Sequence, residues 1–152
     1  DFRSLLPFAV ATTDTGSSEY DAIVGQVGID QGANYSNLKA ALDNASDGWK
    51  ILVLRSETVN TIPVVLNNNI EIVFKKNVTF TKGSATFGLQ INGDNCKIVN
   101  GRFVDFITGG NAGIRVSATA DRTVINTAGF LNNAANIDDL GTLTYVDVEL
   151  QG

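Results

Sequence analysis

Histidine and methionine are both absent from this chain of 152 residues, and cysteine and tryptophan occur once each. Without His the chain lacks the commonest general base and the commonest metal ligand. Without Met, a chain beginning at Asp1 is expected to have lost a leader or a pro-segment. Cys96 has no partner for an intrachain disulfide, and in its apolar setting it reads as a small buried residue rather than a reactive thiol. Charge is also scarce, at 18% of residues with a net value of −5. Phosphate binding needs clustered Lys and Arg, so nucleic acid is not an expected partner. The one basic doublet, Lys75-Lys76, reads as a solvated strand edge. No apolar run approaches the roughly 20 residues that a membrane-crossing helix needs, so no membrane span is expected.

What the chain does have is an apolar fraction of 43%, rich in Val and Ile, with frequent Gly and Asn. That mixture favours short strands joined by tight turns, in one domain large enough to hold a core.

Self-similarity carries the fold. Asn69-Ile70-Glu71-Ile72-Val73-Phe74 is matched 26 residues later by Asn95-Cys96-Lys97-Ile98-Val99-Asn100, and after 26 more by Asp121-Arg122-Thr123-Val124-Ile125-Asn126. A second series, Val64-Val65-Leu66-Asn67, Leu89-Gln90-Ile91-Asn92 and Ile114-Arg115-Val116-Ser117, repeats at 25. A looser third holds Val78-Thr79-Phe80, Phe103-Val104-Asp105-Phe106 and Phe130-Leu131. Three short strands per period, with Asn- and Gly-rich corners, describe a coil that cannot bury its apolar residues alone. Coils stacked about 4.8 Å apart pair every strand with its neighbours above and below. The spacing predicts core columns Ile72–Ile98–Val124 and Leu66–Ile91–Val116. Lys50 to Leu54 is expected to open the stack, and Ile137 to Leu140 with Leu143 to Val148 to close it.

Ahead of the stack, residues 36–45 read as a helix with Ser36 as N-cap and Leu38, Ala41, Leu42 and Ala45 on one apolar face. Such a helix would cover the unpaired edge of the first coil. The expected fold is therefore all-β: a short, single-stranded right-handed parallel β-helix of about four coils over residues 29–152, with a capping α-helix. Residues 1–28 are expected to form an extended N-terminal arm. Its apolar part, with Leu5, Leu6, Phe8 and Val10, reads either as a disordered end or as an arm that docks on a neighbouring subunit.

Gly32 to Leu38, the helix, and then Asp47-Gly48-Trp49-Lys50-Ile51-Leu52-Val53-Leu54 resemble the leading segment of the pectate-lyase-like right-handed parallel β-helix superfamily. With the three series, the resemblance spans roughly residues 27 to 150 and is specific for the fold, not for an activity. That superfamily includes pectin-degrading enzymes and the trimeric tailspikes and related virion proteins of bacteriophages. The polygalacturonase-like site uses a Gly-His-Gly segment, which a chain without His lacks. A pectate-lyase-like calcium cluster does not follow from the spacing of Asp94, Asp105, Asp121 and Arg115. The short stack and apolar arm look more like a phage virion component, and the missing Met would fit maturation processing.

The resemblance thus implies a non-enzymatic structural protein of the virion, a capsid decoration, spike or fibre subunit. Its expected partners are two further copies in a homotrimer, other capsid or tail proteins, and a host-surface glycan. Neither a cofactor nor a metal is expected. A carbohydrate-binding or polysaccharide-cleaving module, and a secreted adhesin fragment, are the alternatives.

Individual residues carry two readings each. Trp49 could stack on a sugar ring or pack beneath the helix. Arg102 with Asp105 could touch a glycan, as could Arg115, or stand as ordinary outward residues of a strand. Asp138-Asp139, the acidic pair, could do acid–base work or hold calcium, or mark a solvated turn. Gly109, Gly110 and Gly113 read as loop glycines that match no phosphate loop.

Overall fold

A computed structural model describes residues 19–149 of the chain. The chain winds into a parallel β-solenoid of about five turns, with nearly no helix. The first rung is β1 (Ala22–Val24), followed by α1 (Leu38–Asp43). The second turn holds β2 (Lys50–Val53), β3 (Glu57–Val59) and β4 (Val64–Val65), and the third β5 (Glu71–Phe74), β6 (Thr79–Lys82) and β7 (Phe87–Ile91). The fourth holds β8 (Lys97–Val99), β9 (Arg102–Val104) and β10 (Ala112–Val116). The fifth runs through β11 (Val124–Leu131) and β12 (Ile137–Asp139) into the last strand, β13 (Tyr145–Glu149). All registered pairs are parallel. One ladder runs β1-β2-β5-β8-β11 and returns along β9-β6-β3, while β12-β10-β7-β4 forms a separate sheet.

Two of the expected columns shift by one residue. Ile72 and Ile98 do stack, but Ile125 rather than Val124 continues them, because Val124 pairs with Lys97. The corner between β10 and β11 is longer than the one between β7 and β8, so the period there is 27 and not 26. Likewise Val65, not Leu66, registers with Ile91, and Ile91 with Val116. Val65 is buried while Leu66 is 70% exposed, since a one-residue slip moves a side chain to the opposite face. The third series holds: Phe80, Phe103 and Phe130 register in successive rungs. With Phe74 they form a ring cluster at centroid separations of 5.2 to 5.9 Å.

One corner repeats through the stack. Gly48, Asn69, Asn95, Arg122 and Leu143 all have positive φ, between 56° and 86°. The amides of Gly48, Asn69, Asn95 and Arg122 donate to the carbonyls of Asn68, Asp94, Asp121 and Thr142 in the next rung. Beside this column, a side-chain oxygen of Asp47 accepts from the Asn68 amide, Asn68 from Asp94, and Asp94 from Asp121, at 2.9 to 3.0 Å. Asp121 therefore stands over Asp94, and Arg122, not the Asp121 that the repeat aligns with Asn69 and Asn95, takes the left-handed position. At Gly93 a Cβ would lie 1.9 Å from the Asn67 carbonyl oxygen, so only glycine fits between these rungs.

The helix is shorter than expected. Asn37, not Ser36, is the N-cap, its Oδ1 accepting from the Ala40 amide at 2.8 Å, and Asn44 closes the C-terminus. Leu38, Ala41 and Leu42 are buried. The helix lies against β1 and β4, at the first end of the stack. The Glu57 carboxylate ties it down by accepting from the Leu38 amide at 2.9 Å. Ala22–Val24, inside the segment read as an arm, is a fully buried strand registered with Ile51–Val53. That rung accounts for the turn beyond the four expected. Leu5, Leu6, Phe8 and Val10 lie outside the described residues.

Candidate functional site

The residues singled out in the sequence are dispersed by the fold. Trp49 lies between the Gly48 corner and β2, half-buried against the core. Its carbonyl accepts from the Glu71 amide at 3.0 Å. Arg115 is in the central part of β10, on the separate four-stranded sheet, with its guanidinium 4.9 Å from the Phe87 ring centroid and 3.7 Å from Asp138 in the next rung. Asp105 is not an outward strand residue. It follows β9 at φ 73°, and its Oδ1 accepts from Asn132 at 2.8 Å across to the next corner. Arg102 opens β9, and its Nε is buried without a hydrogen-bond partner among the described residues.

Asp138 and Asp139 sit in β12, not in a turn, and adjacent strand residues point to opposite faces. Asp138 meets Arg115, whereas Asp139 accepts from the Gly141 amide at 3.0 Å and from the Thr144 hydroxyl at 2.9 Å. The two carboxylates are committed to different partners and do not form a shared acid–base pair. Gly113 also belongs to a strand, β10, and only Gly109 and Gly110 remain in a loop. Cys96 is buried and unpaired, and burial pushes its thiol pKa up, so it is held in the unreactive protonated form.

Other carboxylates are tied into the frame as well. Asp30 holds Arg55 through two contacts, 2.6 and 3.0 Å, and accepts from the Gln26 amide at 2.7 Å. The Arg55 hydrogen bond and that amide lower the Asp30 pKa to about 2. Glu57 moves the other way, because burial raises its pKa and the Leu38 amide only partly offsets this. Among the described residues no three His, Cys, Asp or Glu side chains converge as a metal-ligating group, and no helix is long and apolar enough to cross a membrane.

Two surfaces stand out instead. The first is a groove of about 370 Å³ at the bend between β8 and β9, lined by Lys76, Asn77, Asn100, Arg102 and Thr127. The sequence signal for it was the Lys75-Lys76 doublet, which a one-dimensional reading assigns to a strand edge. The second is the last described rung. Val146 continues the column Ile51–Ile72–Ile98–Ile125, yet it is 40% exposed, beside Tyr145 at 62%. On the other sheet the register position after Val65, Ile91 and Val116 is Asp139.

Comparison of the chain with protein-family models, with curated proteins and with solved structures returns no match.

Proposed function

We propose that the chain is a non-enzymatic structural subunit of a bacteriophage particle, a capsid decoration, spike or fibre component. In this reading it assembles as a homotrimer and onto other capsid or tail proteins. One observation carries the assembly reading: among the described residues, the core column through Ile51, Ile72, Ile98 and Ile125 has its last member in Val146, which is 40% exposed. A column position is apolar because the next rung covers it. Leu140 and, on the opposite face of β13, Tyr145 are further exposed apolar residues of the last described turn, at 49% and 62%, and exposed apolar groups on an unpaired edge favour a neighbouring chain. The engagement of Asp30, Asp47, Asp94, Asp105 and Asp139 in rung-to-rung and corner hydrogen bonds supports a structural role for the acidic residues. The virion setting rests on the resemblance of the Gly32–Leu54 segment.

Light scattering on a sizing column tests the reading. The expected mass is near three times 16.1 kDa. A double variant, Tyr145→Glu with Val146→Glu, is expected to run at one chain while keeping the circular dichroism of a β-solenoid. A wild type that stays at 16.1 kDa at every concentration tried would overturn the assembly reading.

A further inference from the structure

At the first end of the stack α1 lies against β1 and β4, while β3 pairs with β6 alone among the described residues. The Val59 carbonyl faces β6, accepting from the Gly83 amide at 2.9 Å and from the Ala85 amide at 3.2 Å. Residues of a parallel strand address alternate neighbours. The amide and carbonyl of Thr58 therefore face the other way, toward the first end, and Thr58 is exposed. The preceding turn supplies no strand for this place, because after β1 the chain leaves into the loop 25–37 and then α1. Over β3 it leaves an open groove in two parts. One, of about 420 Å³, runs past Val24, Val27, Ser36 and Ser56. The other, of about 240 Å³, runs past Asn37, Lys39, Thr58 and Thr61, and Glu57 borders both.

The chain's own leading segment, which lies outside the described residues, suits this edge in place, length and pattern. The described chain starts at Glu19 on the same end of the stack, 3.4 Å from Lys50 and just ahead of β1. The circuit from this sheet round to the next core position of the first ladder takes 14 residues from Thr58 to Ile72, 17 from Thr81 to Ile98 and 21 from Val104 to Ile125. From Leu5 to Ala22, the ladder position before Ile51, it is 17. Phe2, Leu6, Phe8 and Val10 alternate with other residues, as one face of a strand does.

Proline fixes the register. It has no amide to give, so on an edge strand its nitrogen must face away from the partner. Placing Leu5 opposite Thr58 and Pro7 opposite Asn60 meets that condition. The Ser4 carbonyl then accepts from the Thr58 amide and the Leu6 amide donates to the Thr58 carbonyl. Leu6 falls beside Val59, and Ser4, whose hydroxyl can donate, falls beside the Glu57 carboxylate.

We propose that residues 4–8 of the chain add a parallel strand to the open edge of β3 in the same molecule, completing the first turn beside α1. This contact belongs to the first end and owes nothing to Val146, so its failure would leave the assembly reading as it stands.

The test is amide hydrogen exchange on the full chain, followed by NMR at Thr58, with Ile98 as a core reference. Two matched variants, Leu5→Pro and Leu6→Pro, remove the same side chain and differ in which face loses an amide. In the wild type and in Leu5→Pro the Thr58 amide is expected to exchange roughly tenfold or more slowly than in Leu6→Pro, with Ile98 protected in all three. A nuclear Overhauser contact between the Leu6 and Val59 methyl groups is expected in the wild type. Free exchange at Thr58 in the wild type would overturn the proposal, as would protection that survives Leu6→Pro. Equal loss in both variants, or loss in Leu5→Pro alone, overturns the register. In a sample mixed from differently labelled chains, a Leu6–Val59 contact seen between labels would overturn the same-molecule assignment.

Discussion

Phe103 is the residue on which several rungs depend at once, and truncating it gives the sharpest test of how this core is built. Its side chain is fully buried in the middle of β9. It registers with Phe80 in the preceding rung and Phe130 in the following one. Ring centroids lie 5.8 Å from Phe74, 5.9 Å from Phe80 and 5.8 Å from Phe130. Phe-to-Ala changes in cores cost about 3–5 kcal/mol, the spread reflecting how far the site can collapse. Here collapse is restricted, because the neighbours on either side are fixed by parallel ladders about 4.8 Å apart. The upper part of the range is therefore expected, about 4 kcal/mol.

With a urea m-value of about 2 kcal/mol/M for a chain of this size, the midpoint for Phe103→Ala falls by about 2 M. The backbone supplies an internal control. A Cβ at Gly88 would lie 2.6 Å from Phe103 Cδ1 and 2.7 Å from the Gly113 carbonyl oxygen. Gly88→Ala alone is destabilising, and in the Phe103→Ala background one of these two clashes disappears. The double variant should then lose less than the sum of the single losses, by about 0.5–3 kcal/mol. A loss under about 1.5 kcal/mol for Phe103→Ala, typical of volume-conserving swaps, would refute the close-packed reading of the ring cluster. So would strict additivity with Gly88→Ala.

Three further outcomes follow from single positions. Leu143 occupies the left-handed corner at φ 56°, where Gly48 stands at the other end of the same column. Replacing it by Gly removes roughly 1–2 kcal/mol of strain and adds unfolded-state entropy worth about 0.4–1 kcal/mol. Leu143→Gly should thus raise the melting temperature of the isolated chain; a lowered one would mean that the side chain is held by contacts of its own. Asp30, with its pKa lowered from 3.8 to about 2, contributes stability that is present above 3.8 and lost as pH falls through about 2. In Asp30→Asn the acid-induced loss between these values should flatten, as read by unfolding at a series of pH values, and an unchanged acid limb would exclude Asp30 as its source. Glu57 has the opposite sign, because its raised pKa makes ionisation unfavourable in the folded chain. Its contribution is complete below the ordinary value of 4.5 and fades as pH rises through the folded value, so Glu57→Gln, which keeps an acceptor for the Leu38 amide, should gain on the wild type with rising pH. Parallel stability–pH curves would contradict this.

The periodic part of the fold was legible because stacking makes the sequence repeat itself. Ile72 and Ile98 are 26 residues apart and lie in register, and the Phe80, Phe103 and Phe130 series survives unequal spacings of 23 and 27. Register errors arose where two residue types could serve the same position. Leu66 looked as apolar as Val65, and nothing in the string told which of the two faced inward. Asp121 looked like the partner of Asn95, since Asp and Asn both suit a left-handed corner. The longer corner before it moves Arg122 there instead, and Asp121 stands over Asp94, donating its amide to the Asp94 carboxylate. The groove at the bend between β8 and β9 is hidden for a different reason. Lys76, Asn100, Arg102 and Thr127 are far apart in sequence and meet only when three rungs are stacked, so no local motif announces them.

The first and last described rungs differ in how their edges are treated. At the first end a six-residue helix lays Leu38, Ala41 and Leu42 against β1 and β4, and the Glu57 carboxylate takes up its leading amide. At the other end no such helix stands among the described residues, and the columns end unequally. On the four-stranded sheet the position after Val116 is a carboxylate, Asp139, whose hydrogen bonds run to Gly141 and Thr144 within its own rung. A charge at a core position disfavours an apolar rung directly over it, because that rung would strip the carboxylate of water. On the larger sheet the position after Ile125 is Val146, which carries no such block. A rung laid squarely across this end would meet Asp139, whereas a contact on the β13 side alone would cover Val146 and leave the carboxylate in water.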